Sequence, residues 1–367
     1  MYSRKIAIFI PNLEGGGAER MMVNLANKFV DKTNVDLLLA TESGPYIKIV
    51  DNKVNIINFG ISFSNPTILI YLIKYIRKEK PIAILSAMTY PNVAILIARI
   101  CSNVSTRLVI SERVAMGIQS NNSFSLKEKL KPLAARLTYN SADHIIAISN
   151  GVADNLAETI KIPKNKITTI YNPVVTTSIL IKRPRPNHAF FADKHNKVIV
   201  AAGRLVRQKD FGTLILAFNK LLSNQEMYLV ILGEGPLRNE LHKQIYKLGI
   251  TKFVSLPGYT DNVFSYFQHA SLFVLSSAWE GFGNVLVEAM ACGCPVVSTN
   301  CESGPSEILE NGKYGILTKP GDVGAMASAM QDTLSQPLSS NILRTRANAF
   351  RSDEIADKYL KILTNGA

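Results

Sequence analysis

Glu280 and Glu288 stand eight residues apart, separated by Gly281-Phe282-Gly283-Asn284-Val285-Leu286-Val287. The apolar run Leu272–Leu275 ahead of them reads as a buried strand. Val285–Ala291 reads as a helix with small and apolar residues on one face. The spacing places Glu280 at the carboxyl end of the strand and Glu288 one turn inside the helix. Gly281 and Gly283 predict a tight turn that lets a ligand approach the backbone, and Asn284 suits a helix N-cap. Free N–H groups at a helix N-terminus attract a phosphate. Carboxylates on either side could accept hydrogen bonds from sugar hydroxyls. The combination describes a sugar-nucleotide site. On spacing alone, an ordinary strand–turn–helix unit with two solvated glutamates fits equally well.

Other segments tip the balance. Gly203-Arg204-Leu205-Val206-Arg207-Gln208-Lys209 follows the first strand of the second half. Arg204 and Lys209 could reach one diphosphate from that loop, the arginine as a fork and the lysine as a point charge. Gly15-Gly16-Gly17 follows the first strand and opens a helix. It lacks the G-x-G-x-x-G spacing of a dinucleotide fingerprint, but Gly16 and Gly17 could admit a phosphate or sugar. Gly203 and Gly258-Tyr259 follow strands too, and Tyr259 could offer a stacking face to a base. The chain has no Asp-x-Asp pair, which argues against a metal holding a nucleotide diphosphate. None of the five histidines stands beside a nucleophile, so serine or cysteine hydrolase chemistry is not supported.

These residues need a frame. Strands read over Lys5–Ile10, Val35–Ala40, Ile82–Ser86, Arg107–Ser111 and His144–Ser149, with helical patterns between them. Thr176–Asn196, with Pro184 and Pro186 among Lys182, Arg183 and Arg185, reads as a linker. Beyond it the alternation restarts with strands Lys197–Ala201, Tyr228–Leu232, Phe253–Leu256, Leu272–Leu275 and Pro295–Ser298. Asp353–Leu363 closes the chain as an amphipathic helix. Strand–helix alternation implies parallel sheets covered on both faces. The fold class is therefore α/β, with two Rossmann-like, doubly wound domains facing a cleft and ligands outside the carboxyl ends of the strands.

Composition narrows the setting. The chain has 367 residues, enough for two domains, and is 47% hydrophobic. Its apolar runs fall well short of the ~20 residues that span a bilayer. Met1–Pro11 is too short for a secretory signal. Four cysteines make no disulfide framework in a chain this long, so a cytoplasmic, reducing compartment is expected. Residues 1–185 carry 24 Lys and Arg against 12 Asp and Glu, whereas residues 186–367 carry 17 against 16. The excess positive charge thus sits in the first half, which points to an anionic partner there. No nucleic-acid-binding motif accompanies it.

Taken in order, Gly15–Gly17, Gly203-Arg204…Lys209 and Glu280…Glu288 resemble the family 4 retaining glycosyltransferases of the GT-B fold, over essentially the whole chain. Ser303-Gly304-Pro305 and Glu307 look most like bacterial members that extend polyprenyl-diphosphate-linked glycans. The resemblance implies an N-terminal acceptor domain over 1–175, a linker over 176–196 and a nucleotide-sugar domain over 197–349. It also implies that a final helix, 350–367, crosses back to the first domain. It casts Glu280 on donor-sugar hydroxyls, Glu288 on the ribose, and backbone N–H groups of Gly281, Phe282, Gly283, Asn284, Val285 and Leu286 on sugar and phosphate. Arg204 and Lys209 would stabilise the departing diphosphate. The implied donor is a nucleoside diphosphate sugar, UDP foremost, with neither metal nor separate cofactor. Many members carry a histidine after an N-terminal strand; here the place reads Ser111-Glu112-Arg113.

The implied acceptor is a polyprenyl-diphosphate-linked saccharide, and the first half's charge suits an anionic membrane surface. Phe124, Leu126, Leu130 and Leu133 interleave with Lys127, Lys129, Lys131 and Arg136, which could place this segment at a membrane interface. A solvated helix packing its apolar face on the domain fits as well. The expected location is cytoplasmic, peripheral to the inner face of the cytoplasmic membrane. A soluble acceptor, a sugar-nucleotide epimerase and a non-enzymatic basic binding protein are the competing readings.

Overall fold

The computed structural model describes residues 5–117, 126–222 and 227–364. The chain divides into two compact units, Met1–Val174 with Phe350–Ala367, and Val175–Ala349.

The first unit alternates in chain order: β1 (Lys5–Ile10), α1 (Gly17–Phe29), β2 (Asn34–Leu39), β3 (Asn55–Asn58), α2 (Ile68–Glu79), β4 (Ala83–Ala87), α3 (Thr89–Ser102), β5 (Arg107–Glu112), α4 (Leu126–Thr138), β6 (His144–Ala147), α5 (Asn150–Ile160) and β7 (Ile167–Thr169). Among the described residues these strands form one seven-stranded sheet in the order β3-β2-β1-β4-β5-β6-β7. Every pairing is parallel. Helices cover both faces of such a sheet, so its central strands read as continuous apolar runs. Accordingly, all five residues of β4 are buried. The edge strands β3 and β7 are short and carry polar residues. The sequence pattern misses them.

The second unit continues with α6 (Thr177–Leu180), β8 (Val198–Ala202), α7 (Phe211–Leu222), β9 (Tyr228–Leu232), α8 (Arg238–Lys247), β10 (Val254–Gly258), α9 (Val263–His269), β11 (Leu272–Leu275), α10 (Asn284–Ala291), β12 (Val296–Thr299), α11 (Pro305–Ile308), β13 (Ile316–Thr318), α12 (Val323–Ser335) and α13 (Ser340–Ala347). Its described strands form a six-stranded parallel sheet in the order β10-β9-β8-β11-β12-β13. Strand order reverses between β8 and β11, the switch point at which doubly wound sheets bind ligands. Leu272 pairs with Ile199 and Phe273 with Val200, so the loops after β8 and β11 emerge side by side. Beneath them Leu214 and Phe218 of α7 pack with Met326 and Met330 of α12 around the sheet.

Residues 176–196 fall inside the second unit. Phe190 stacks on Tyr228 at 4.4 Å and Phe191 meets Tyr266 edge-on at 5.4 Å. Gln268 donates to the Ile181 carbonyl at 2.8 Å. The last helix, α14 (Ser352–Thr364), belongs to the first unit. There Arg107 donates to the Ile362 carbonyl at 2.8 Å, and Tyr359 and Leu363 are fully buried.

Candidate functional site

In the second unit, Glu280 follows β11 and Lys209 follows β8. Lys209 Nζ lies 2.5 Å from Glu280 Oε1. Both side chains are largely shielded, at 17% and 8% exposure, so this pair is far less screened by solvent than a surface ion pair. Ser277 Oγ donates to the same Oε1 at 2.7 Å. Gly203 leaves room for the lysine stem: a Cβ built there would approach Lys209 Cε at 3.1 Å. Arg204 is exposed and its guanidinium makes no hydrogen bond or ion pair among the described residues. Arg207 is exposed as well.

The turn after Glu280 is tight. Gly283 has φ +97 and occupies the N-cap of α10 without any side-chain capping bond. Asn284, expected as the cap, is instead the first residue of the helix. Only glycine takes the positive φ readily, so the cap falls one residue earlier. The Leu286 amide donates to the Gly283 carbonyl at 2.9 Å and is committed to the turn. The amides of Gly283 and Val285 make no hydrogen bond among the described residues. Phe282 is buried, with Gly304 pressed against its carbonyl: a Cβ on Gly304 would lie 2.0 Å from that oxygen. Glu288 is buried inside α10 at 5% exposure.

Further along the same sheet edge, Gly233 meets the loop after β8 backbone to backbone. A Cβ there would lie 2.0 Å from the Gly203 carbonyl oxygen. Gly258, with φ +94, ends β10. Tyr259 beyond it is 60% exposed and its hydroxyl donates to Asp261 at 2.7 Å. Cys301 lies near Glu280; burial, with that carboxylate second, pushes its thiol up to about 12. It is therefore a protonated, poor nucleophile at neutral pH.

In the first unit, Gly15 has φ +103, Gly16 is the N-cap of α1 and Gly17 begins it. The glycine whose backbone conformation requires glycine is thus Gly15. Ser111 and Glu112 end β5 and Arg113 follows it. Glu112 is fully buried and accepts from the Tyr139 hydroxyl at 2.7 Å and the Thr89 hydroxyl at 3.2 Å. Burial pushes its carboxyl above the ordinary range. Arg113 is 5% exposed and donates to Asn172 and, at 3.7 Å, to the Met22 sulfur. Glu112 and Arg113 thus tie β5 to its neighbours.

On α4, Leu130, Leu133 and Leu137 are 48%, 55% and 76% exposed. Lys129 and Arg136 are exposed around them, and Lys131 sits 5.6 Å over the Tyr90 ring. Phe124 and the side chains of Leu126 and Lys127 lie outside the described residues. No helix among the described residues is long and apolar enough to cross a membrane. None of their His, Cys, Asp and Glu side chains form a group of three suited to a metal ion.

The sequence points to Glu280, Arg204 and Lys209, and the fold brings Glu280 and Lys209 into contact. It gives no sign of Gln208 or Thr299, whose contacts run between loops distant in the chain, or of Ser277, which reaches Glu280 from three residues away in the same loop. Gln208 donates to the Trp279 carbonyl at 2.9 Å, and Thr299 to the Ser277 carbonyl at 2.6 Å.

Comparison with known proteins shows the family and the fold. Residues 15–178 match the model of Glycosyltransferase Family 4, and residues 185–350 that of Glycosyl transferases group 1. The chain is 32% identical over 375 residues to N-acetylgalactosamine-N,N'-diacetylbacillosaminyl-diphospho-undecaprenol 4-alpha-N-acetylgalactosaminyltransferase of Campylobacter jejuni, covering 98% of this chain and 99% of that protein. It is 32% identical over 247 residues to a lipopolysaccharide core biosynthesis glycosyltransferase of Rhizobium meliloti, covering 65% and 69%. Among solved structures, Anabaena HepE in complex with UDP superposes with a TM-score of 0.80 at 20% identity, covering 98% and 100%. The lipopolysaccharide outer core galactosyltransferase WaaB superposes with 0.76 at 20% identity, covering 99% and 100%. This chain belongs to family 4 of the glycosyltransferases and has their GT-B fold.

Proposed function

We propose that the protein is a retaining, metal-independent glycosyltransferase. It moves a hexose or N-acetylhexosamine from a nucleoside diphosphate, UDP foremost, to a polyprenyl-diphosphate-linked saccharide during surface glycan synthesis. The observation that carries this reading is the shielded Lys209–Glu280 pair at 2.5 Å, set beside the glycine turn and the N-terminus of α10. Lys209 and Arg204 supply positive charge where a departing diphosphate becomes more negative, a form of transition-state stabilisation that needs no rearrangement. Glu280 accepts from a donor-sugar hydroxyl and Glu288 from the ribose. The uncommitted Gly283 and Val285 amides face phosphate and sugar, and Tyr259 lies by the base. In this mechanism the leaving phosphate takes the acceptor's proton, so no side-chain nucleophile is needed. The lipid-linked acceptor is supported by the activity that names the Campylobacter jejuni relative, and UDP by the ligand of the Anabaena structure.

The exposed leucines of α4 favour a peripheral site on the inner face of the cytoplasmic membrane. An apolar stripe at positions 130, 133 and 137 with flanking cations is the pattern of an interfacial helix.

The test supplies purified protein with UDP- and GDP-sugars, with and without a short-chain polyprenyl-diphosphate-saccharide. Nucleotide release should depend on the lipid acceptor, survive EDTA, and yield a product with the donor's anomeric configuration. Arg204→Ala should lower kcat/KM by about 10- to 150-fold, from the ~1.5–3 kcal/mol of a charge-assisted hydrogen bond, and Glu280→Gln should abolish transfer. Release with soluble acceptors alone would move the acceptor off the membrane. Absence of both turnover and donor binding would overturn the transferase reading.

A further inference from the structure

The loops after β8 and β11 are tied to each other by three hydrogen bonds. Ala278 N donates to the Gln208 carbonyl at 2.8 Å, and Gln208 Nε2 returns a bond to the Trp279 carbonyl at 2.9 Å. Ser276 Oγ donates to the Lys209 carbonyl at 2.7 Å. Thr299, at the end of β12, donates to the Ser277 carbonyl at 2.6 Å. Ser277 Oγ and Lys209 Nζ then both reach Glu280 Oε1, at 2.7 and 2.5 Å. Ser277 and Thr299 are fully buried, and Ser276 is 1% exposed. Glu280 Oε2 has no hydrogen-bond partner among the described residues.

We propose that Ser277 is a positioning residue. It holds Glu280 so that Oε1 is committed to the protein and Oε2 alone is presented to the donor sugar. The reading rests on the proposed transfer reaction. A carboxylate free at both oxygens could accept from two neighbouring hydroxyls at once. Here Oε1 already accepts two short bonds, one of them from an ammonium, so Glu280 reads a single sugar hydroxyl. The same bond fixes the carboxylate against which Lys209 rests, and so places the lysine for the diphosphate. Misplacement by about 1 Å can cost on the order of 100-fold in rate. Gln208, which ties the two backbones together, is the second positioning residue of this unit.

The experiment compares Ser277→Ala, Ser277→Thr and wild type in the full-length chain. Ser277→Ala should lower kcat about 10- to 100-fold while the KM for donor and the Kd for free UDP change less than about threefold, and Ser277→Thr should recover most of the rate. Donors lacking single hydroxyls sharpen the result. Wild type should lose activity steeply for one deoxy position only, and Ser277→Ala should flatten that preference. Unchanged kcat in Ser277→Ala, or equal losses for two adjacent deoxy donors in wild type, would overturn the proposal. A second measurement needs no turnover. If the hydroxyl and carboxylate act as one unit, the melting shifts of Ser277→Ala and Glu280→Gln should be non-additive, and the double variant should melt no lower than the worse single variant. Additive shifts count against the proposal. Coupled shifts in a protein that transfers no sugar would leave the positioned pair standing and remove the transferase reading instead.

Discussion

Gly203 matters because of the side chain that lies over it. A Cβ at this position would meet Lys209 Cε at 3.1 Å and its Cδ and Cγ at 3.3 Å, closer than such contacts normally run. The lysine stem is flexible, but Gly203 has φ +158, so Gly203→Ala should both move the ammonium away from Glu280 and strain the backbone. We expect a roughly 10- to 100-fold lower kcat and a loss of about 1–3 kcal/mol in urea unfolding. Gly16 offers a contrast. Its obstacle is the flexible Glu19 carboxylate and its φ is −81, so Gly16→Ala should be tolerated in both assays. Glu112 gives a residue-scale prediction in pH. Burial raises its carboxyl above the ordinary value of about 4.3. A raised folded-state value means that its contribution to stability is fully present below the unfolded value. The contribution is lost as pH rises through the folded value. Glu112→Gln removes this dependence while keeping the side chain's shape. The melting temperature of the variant minus that of wild type should therefore climb as pH rises from about 4 to 7. A flat difference would mean that Glu112 is not burdened by its burial.

At the scale of elements, the sequence reveals what repeats and what is apolar. β1, β4, β5, β8, β9 and β11 are buried runs bounded by turn residues, and their pattern is sufficient to find them. β11 and α10 bracket Glu280 as the spacing predicts. The edge strands β3, β7 and β13 have only three or four residues and little apolar signal, so pairing, not local preference, makes them strands. α12 is rich in Gly, Ala and Ser, which dilutes the helical spacing of Val323, Met326, Met330 and Leu334 that anchors it in the core. Asn284 has good capping chemistry but yields the cap to Gly283, because the turn needs a positive φ. Likewise, residues 176–196 have a linker's composition but pack through Phe190, Phe191 and His188. Gln208 is not legible because its partner depends on strand order across the switch point, and Ser277 because a serine three residues before a glutamate carries no signal until the turn folds it back. The loop over Phe282 supports a prediction of its own. Gly304 has φ +90, and a Cβ would fall 2.0 Å from a backbone oxygen, which cannot swing aside as a side chain can. Gly304→Ala should cost about 1–3 kcal/mol in urea unfolding and weaken UDP binding measured by calorimetry, since the displaced segment is the turn that caps α10.

At the scale of the whole molecule, the chain leaves the first unit at Val174, builds the second, and returns at Phe350. The return is anchored by the backbone bond from Val174 to the Phe350 carbonyl at 3.1 Å and by α14, whose Ile355, Ala356, Tyr359 and Leu363 are buried. The last residues of the sequence therefore stabilise its first half. Tyr359 isolates this effect. It is fully buried, and its hydroxyl has no hydrogen-bond partner among the described residues. Tyr359→Phe removes only an unpaired polar atom and should leave stability unchanged or slightly higher. Tyr359→Ala removes the ring as well and should cost about 3–5 kcal/mol. The single tryptophan of the chain, Trp279, lies in the second unit and reports on that unit alone, whereas far-UV circular dichroism reports on both. In urea, Tyr359→Ala should bring forward part of the dichroism transition and leave the Trp279 fluorescence transition where it is in wild type. If both transitions moved together, the two units would unfold as one, and the C-terminal helix would stabilise the entire chain.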